Sequence, residues 1–258
     1  MTGTEHLFVH DDLEASEPRW LLDDRWDEVP DVGLAELAGP TGRVVVLAAH
    51  PDDETLGLGR LVHAWSRRAG VVGLLASRGE ACVDHVLPRP DGLGARREAE
   101  WRTATARLGF ADLHVLGLPD GRLAEHEDAV QEALATLIDP TSERGAVVLA
   151  APWRLDPHPD HRAVGRAAAR AAAEVGVPLL EYPVWATFWS EPTALDGARG
   201  RLVVVDHDRS DESAYAEALA AFASQLEPLA ADLGPVLPAE MVIHHDRQLV
   251  VLPDRPGR

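Results

Sequence analysis

Two short clusters of imidazole and carboxylate side chains, about a hundred residues apart, hold most of the chemistry this chain can offer. The first is His50, Asp52 and Asp53, inside the stretch VVVLAAHPDDE at positions 44–54. The second is His158, Asp160 and His161, at the end of PWRLDPHPDH at 152–161. Imidazole nitrogen together with carboxylate oxygen suits zinc or another borderline divalent ion. A catalytic zinc needs three protein ligands and one open position for water, and two histidines with one carboxylate supply that set. Adjacent carboxylates on one turn point in different directions, so one of Asp52 and Asp53 can reach a metal while its neighbour faces the water. A carboxylate in that second place takes the proton as water attacks. The second cluster divides in the same way: one histidine binds metal, and the other, held by Asp160, hydrogen-bonds a developing oxyanion or protonates a leaving amine.

A plainer reading makes Asp52 or Asp53 a helix cap, but capping leaves the histidine and the second carboxylate unexplained. The HxDH of the second cluster, taken alone, reads as a solvated helix start. Only their joint placement favours a metal site, and that placement depends on the elements that carry them.

Val44 to Ala49 is a continuous apolar run, β-branched at its front, and suits a strand buried on both faces of a parallel sheet. Pro51 ends the pairing, and Glu54 to Ala69 carries Leu56, Leu58, Leu61, Val62 and Trp65 at helical spacing. Further strands are expected at 71–77, 113–118, 146–151, 179–185 and 202–205, with Gln248 to Leu252 as an edge strand. Helices are expected at 95–108, stopped by Gly109, and at 124–138, 162–174 and 213–233. Strands alternating with helices imply an α/β fold with a mostly parallel sheet and helices on both faces. Both clusters then follow strands and lie on one edge of that sheet, where such folds hold ligands. Prolines 88 and 90 with glycines 92 and 94 exclude regular structure from 83 to 94.

At 258 residues the chain fits a single domain, placed at 39–258, behind an acidic amino-terminal arm, 1–38, anchored by Trp20, Leu21, Leu22 and Trp26. The formal charge of -19, with arginine as the sole basic residue type besides histidine, disfavours nucleic acid and anionic membranes as partners. Cys82 is the one cysteine, so no internal disulfide forms and a reducing cytoplasm is the expected compartment. Neither a signal-like start nor an apolar run of membrane-spanning length is present in the sequence, so no membrane insertion is expected. The acidic surface with its tryptophans is compatible with a monomer or a homo-oligomer.

AHPDDE after a buried strand and DPHPDH about a hundred residues later together resemble the PIG-L/LmbE-like superfamily of zinc-dependent N-deacetylases. The similarity runs from about Arg43 to Trp185, through Ser77-Arg78-Gly79-Glu80, the helix with Arg97, Glu100, Ala104 and Leu108-Gly109, and Leu116 to Gly121. It thins over 186–258, where Ser224-Gln225 is the remaining likeness. The resemblance implies a Rossmann-like three-layer fold and a Zn2+ cofactor, with another divalent transition metal such as Fe2+ as a substitute. It implies His50, Asp53 and His161 as metal ligands, Asp52 as general base, and His158 as electrostatic or acid partner oriented by Asp160. Arg97 and Asp120 match positions that line the sugar pocket, against plainer roles as an ion pair with Glu100 and as a turn residue. The implied substrate is a small N-acetylated amino sugar or a glycoside carrying one.

Two variants keep fold and metal but change the substrate: an amidase for a larger thiol-sugar conjugate, and a tailoring deacetylase of a secondary metabolite. A nucleotide-binding enzyme on the same sheet is disfavoured, because HPDDE stands where close approach to a phosphate needs glycines. A zinc-binding protein without turnover is disfavoured by the presence of both Asp52 and His158. His244 and His245 are further candidates to reach the site from the carboxyl-terminal segment.

Overall fold

The structure is a computed structural model and describes residues 29–32, 42–83, 91–139, 146–189, 202–205, 209–228, 234–244 and 248–252. Its strands are β1 (Asp31–Val32), β2 (Arg43–Ala48), β3 (Gly70–Ser77), β4 (Asp112–Leu118), β5 (Val147–Pro152), β6 (Leu179–Tyr182), β7 (Leu202–Val205) and β8 (Leu249–Val251). Its α-helices are α1 (Asp53–Ser66), α2 (Leu93–Leu108), α3 (Glu127–Leu137), α4 (Pro159–Val175), α5 (Ala186–Trp189), α6 (Arg209–Leu219), α7 (Ala223–Leu226) and α8 (Ala239–His244). The strands form one sheet in the order β1-β7-β8-β6-β5-β2-β3-β4, parallel throughout except for the pairings of β8.

The central strand shows why its sequence is apolar at every position. Val44, Val46 and Ala48 enter one core, with α1, α2 and α6, while Val45, Leu47 and Ala49 enter the other, with α3 and α4. Each of Val44 to Leu47 is at most 1% exposed. Burying one such side chain is worth roughly 1.5–3 kcal/mol, which is why a strand dry on both faces is apolar at every position. The three-layer α/β architecture agrees with the reading of the sequence.

From β2 the order runs to β3 and β4 on one side and to β5 and β6 on the other, so the sheet changes direction between β2 and β5. A crevice opens outside the carboxyl ends of the strands at such a reversal. His50 follows β2 by two residues and the second cluster follows β5, which puts both at that crevice. Close packing holds the second cluster in place. A Cβ on Gly165 of α4 would fall 2.6 Å from the Pro152 carbonyl and 2.8 Å from the Arg154 backbone, so the helix lies directly on the end of β5.

Several elements differ from the sequence expectation: α2 starts at Leu93, inside the stretch expected to be irregular, the strand expected over 179–185 stops at Tyr182 and gives way to α5, and α8 has no counterpart in that expectation. The 248–252 segment is no edge strand: β8 sits inside the sheet, antiparallel to both β6 and β7, and is buried. Three apolar residues carry no sign of direction or neighbours, so composition could not place it. Asp31 and Val32, within the segment read as an arm, pair with β7 and form the edge instead. The tryptophans of that arm lie outside the described residues, as does most of 83–94. The long helix expected over 213–233 breaks after Leu219 and restarts as α7. Finally, α4 begins at Pro159 rather than 162, because proline is at home in the first helical turn. No helix among the described residues is long and apolar enough to cross a membrane.

Candidate active site

The loop after β2 folds back on itself. His50 N–H donates to Asp53 Oδ2 at 2.8 Å, which turns the Asp53 carboxylate toward the strand end instead of down the helix it starts. Asp52 occupies the cap position of α1 but caps nothing with its side chain, and its backbone is strained at φ 124°. Its carboxylate is taken by Arg97 of α2, whose Nη2 lies 3.1 Å from Asp52 Oδ2 and 2.9 Å from the Pro51 carbonyl. Arg97 Nη1 donates to the Gly79 carbonyl at 2.8 Å, so the guanidinium is enclosed by the loops after β2 and β3.

The second cluster forms the first turn of α4. His158 is its cap, and its ring Nδ1 accepts the Asp160 N–H at 3.2 Å. Accepting there puts the proton of a neutral ring on Nε2. The Asp160 carboxylate meets other partners: it accepts from Gly121 N–H and Leu123 N–H and lies 3.2 Å from His50 Nε2. Asp120 Oδ1 is 2.9 Å from the same His50 nitrogen, and its other oxygen accepts Ala81 N–H at 2.7 Å. Glu80 in turn accepts Asp120 N–H at 3.1 Å, which ties the Ser77–Glu80 loop to the turn after β4.

The two clusters meet. Ring centroids are 5.5 Å apart for His50 and His161, 5.0 Å for His50 and His158, and 4.6 Å for His158 and His161. These three histidines offer ligand nitrogens all within 4.8 Å of one another, and His50, Asp120 and Asp160 form a second such group. Asp53 Oδ1 lies 3.1 Å from His161 Nε2, and Asp53 Oδ2 lies 3.8 Å from His50 Nδ1. Two ligand atoms each about 2.1 Å from one tetrahedral zinc are separated by roughly 3.4 Å, so the Asp53 and His161 spacing fits a shared ion.

The electrostatics point the same way. His161 is fully buried, with carboxylates near both ring nitrogens, yet neither nitrogen has a partner in hydrogen-bond alignment. Burial pulls its pKa down, but Asp53 and Asp156 outweigh that and raise it to about 9. His50 also goes up against its burial, chiefly through Asp120. Asp52 is raised to about 7 by burial, partly countered by Arg97. Asp53 and Asp120 are held below the usual carboxylate range, burial notwithstanding, by the histidines they face. His158 falls to about 3, first from burial and then from the charges of His161 and His50. Carboxylates outnumber cationic groups here, and a divalent cation among the histidines answers both that surplus and the orphaned Nε2 of His161, which faces Asp53.

All eight sequence-selected residues therefore gather around one crevice, with changed partners for three. The Asp160 carboxylate reaches His50, and only its backbone N–H touches His158. Arg97 is buried against Asp52, while Glu100 pairs with Arg96 and accepts from Ser224. Asp120 holds more than its own turn. The sequence reading passed over Asp156, which is fully buried and accepts His158 N–H at 3.0 Å. An aspartate two residues before the amide it binds is a turn signal that was legible. It also passed over Trp185, stacked on His158 at 6.4 Å, for which no local signal exists. His244 and His245 lie outside the described side chains.

Residues 45–172 match the PIG-L family model, described as GlcNAc-PI de-N-acetylase. Over 110 residues the chain is 37% identical to a 1D-myo-inositol 2-acetamido-2-deoxy-alpha-D-glucopyranoside deacetylase of Kineococcus radiotolerans, covering 39% of this chain and 30% of that protein. Over 146 residues it is 28% identical to a probable N-acetyl-alpha-D-glucosaminyl L-malate deacetylase 2 of Bacillus cereus, covering 55% of this chain and 64% of that one. The matches thus span less than two thirds of either relative's length. Among solved structures, the conserved protein TT1542 from Thermus thermophilus is similar at 26% identity and a TM-score of 0.50, over 71% of this chain and 80% of that one. The matched region opens in β2 and closes in α4, taking in both histidine clusters, and through it the chain belongs to the PIG-L family.

Proposed function

We propose that this protein is a metal-dependent hydrolase that removes the acetyl group from the nitrogen of an N-acetylglucosaminyl conjugate, releasing acetate and a free amine. The observation that carries the reading is the convergence of His50, Asp53, His158 and His161 from two remote loops on one buried crevice. The activities for which both of these relatives are named, deacetylation of N-acetylglucosaminides, support the substrate class.

In this reading His50, Asp53 and His161 hold the ion, zinc or a similar metal such as Fe2+. When bound, it polarises the amide carbonyl and lowers the pKa of water to about 7. Asp52 stands beside them, clamped by Arg97, and takes the proton as the water oxygen bonds to the carbonyl carbon. His158, a neutral ring with its proton on Nε2, donates to the carbonyl oxygen as it gains charge. The proton held by Asp52 then passes to nitrogen as the carbon–nitrogen bond breaks, and the new carboxylic acid gives its remaining proton to solvent, leaving a carboxylate and an amine. Asp160 orients His50 from behind, and Asp120 shares that work. Arg97 is too deeply enclosed to be first of all a sugar contact, and its place is behind Asp52.

The test joins metal analysis of the purified protein to a primary-amine release assay on N-acetylglucosamine and its inositol and malate glycosides. Release is expected to stop on chelation and return with zinc. Release that continues after complete metal removal overturns the proposal.

A further inference from the structure

We infer that Asp156 is the positioning residue for His161, presenting the Nε2 face of that ring to the ion while tying it to the wall that carries Trp185. The inference rests on the metal-dependent reading above and assigns a task to a residue outside its ligand and base set. Asp156 lies between β5 and α4 and has no exposed surface. Its Oδ2 accepts three successive backbone amides, Val184, Trp185 and Ala186, at 3.0, 3.0 and 3.2 Å. Its Oδ1 accepts His158 N–H at 3.0 Å and lies 3.3 Å from His161 Nδ1.

Four N–H groups converging on one carboxylate require its ionised form, which only accepts. The atom facing it on His161, Nδ1, must then carry a proton. That leaves Nε2 as the lone-pair face, 3.1 Å from Asp53 Oδ1, where two acceptors repel unless a cation or proton lies between them. Carboxylates that hold the outer nitrogen of a metal-binding histidine set its tautomer and tilt in this way. The arrangement has a counterpart: Asp160 stands 3.2 Å from His50 Nε2, leaving Nδ1 as that ring's face toward Asp53. The two aspartates that flank His158 thus serve the other two histidines.

Asp156→Asn tests this. The three amides of 184–186 demand an oxygen, so the new NH2 group must face His158 N–H and His161 Nδ1, and it favours the opposite tautomer. Zinc affinity, measured by chelator competition, is expected to fall about 10–100-fold with unchanged far-UV circular dichroism. The cobalt-substituted protein is expected to show an altered visible absorption band, which a merely structural role would not move. In a His161→Ala background, Asp156→Asn is expected to cost no further affinity. Unchanged zinc affinity in Asp156→Asn, or an equal loss in the His161→Ala background, overturns the inference. If Asp156→Asn does not fold, Asp156→Glu, which keeps the charge but displaces it, is read by the same criteria. A wild-type protein that binds no zinc overturns the metal reading itself, and this inference with it.

Discussion

Arg97 and Asp52 form an ion pair at 3.1 Å with both side chains almost wholly buried, and the same guanidinium holds the carbonyl of the residue before that aspartate. The pair sits where the chain is strained, since Asp52 is the one non-glycine residue with positive φ among those described. Strain of this kind costs about 1–3 kcal/mol and persists only where the surroundings hold it. Arg97 is that surrounding. It keeps the Asp52 carboxylate aimed into the crevice when an ordinary helix cap would have turned it onto the backbone.

Replacing Arg97 by Met removes the charge that lowers the Asp52 pKa, which burial already raises to about 7. The acid limb of kcat/KM is expected to move to higher pH, so activity falls more below neutrality than above it. A raised KM with an unmoved limb would assign Arg97 to the sugar instead.

Asp52→Asn keeps an oxygen for Arg97 but cannot take a proton. Turnover is expected to fall by about 10²–10⁴-fold while metal content per molecule stays at the wild-type level. Loss of the metal together with activity would make Asp52 a ligand and send the search for a base elsewhere.

Gly57 faces the buried Tyr182 ring so closely that a Cβ would fall 2.3 Å from it. Tyr182 cannot yield freely, because its hydroxyl donates to the Leu47 carbonyl in the central strand. Alanine is the better helix former by about 1 kcal/mol, but overpacking a filled core costs about 1–3. Gly57→Ala is therefore expected to lower the urea midpoint, and a raised midpoint would refute the contact.

Glu127 on α3 pairs with Arg166 and Arg170 of α4. Burial raises its pKa, but the two arginines outweigh that and the net shift is downward. A lowered folded value means that the stabilisation is fully present above the unfolded value of about 4.3 and is lost as pH falls through the folded one. Glu127→Gln is expected to cost at most ~1 kcal/mol at neutral pH after solvent screening, with the difference closing in acid and in high salt. A difference that persists in acid would assign the effect to packing.

The parts of this molecule that were readable in advance share a physical cause. β2 is dry on both sides, so its apolar run had one structural meaning, and His50 at its end inherited a location. The second cluster followed β5 for the same reason. Partners across the crevice were not readable, because whether Asp160 reaches His158 beside it or His50 opposite depends on side-chain direction, which spacing along the chain does not determine. Arg97 illustrates the same limit: its helix face was legible, but not that this face turns inward beneath the β2 loop. β8 was misplaced because hydrogen-bonding neighbours across a sheet leave no mark on a three-residue segment.

Gly165 lies one helical turn beyond His161, pressed against the end of β5. A methyl group there would act as a shim, tipping the front of α4 and carrying His161 away from the aspartate that waits on the opposite loop. Any redesign of this pocket has no room along this seam, where the tolerance is narrower than a single carbon atom.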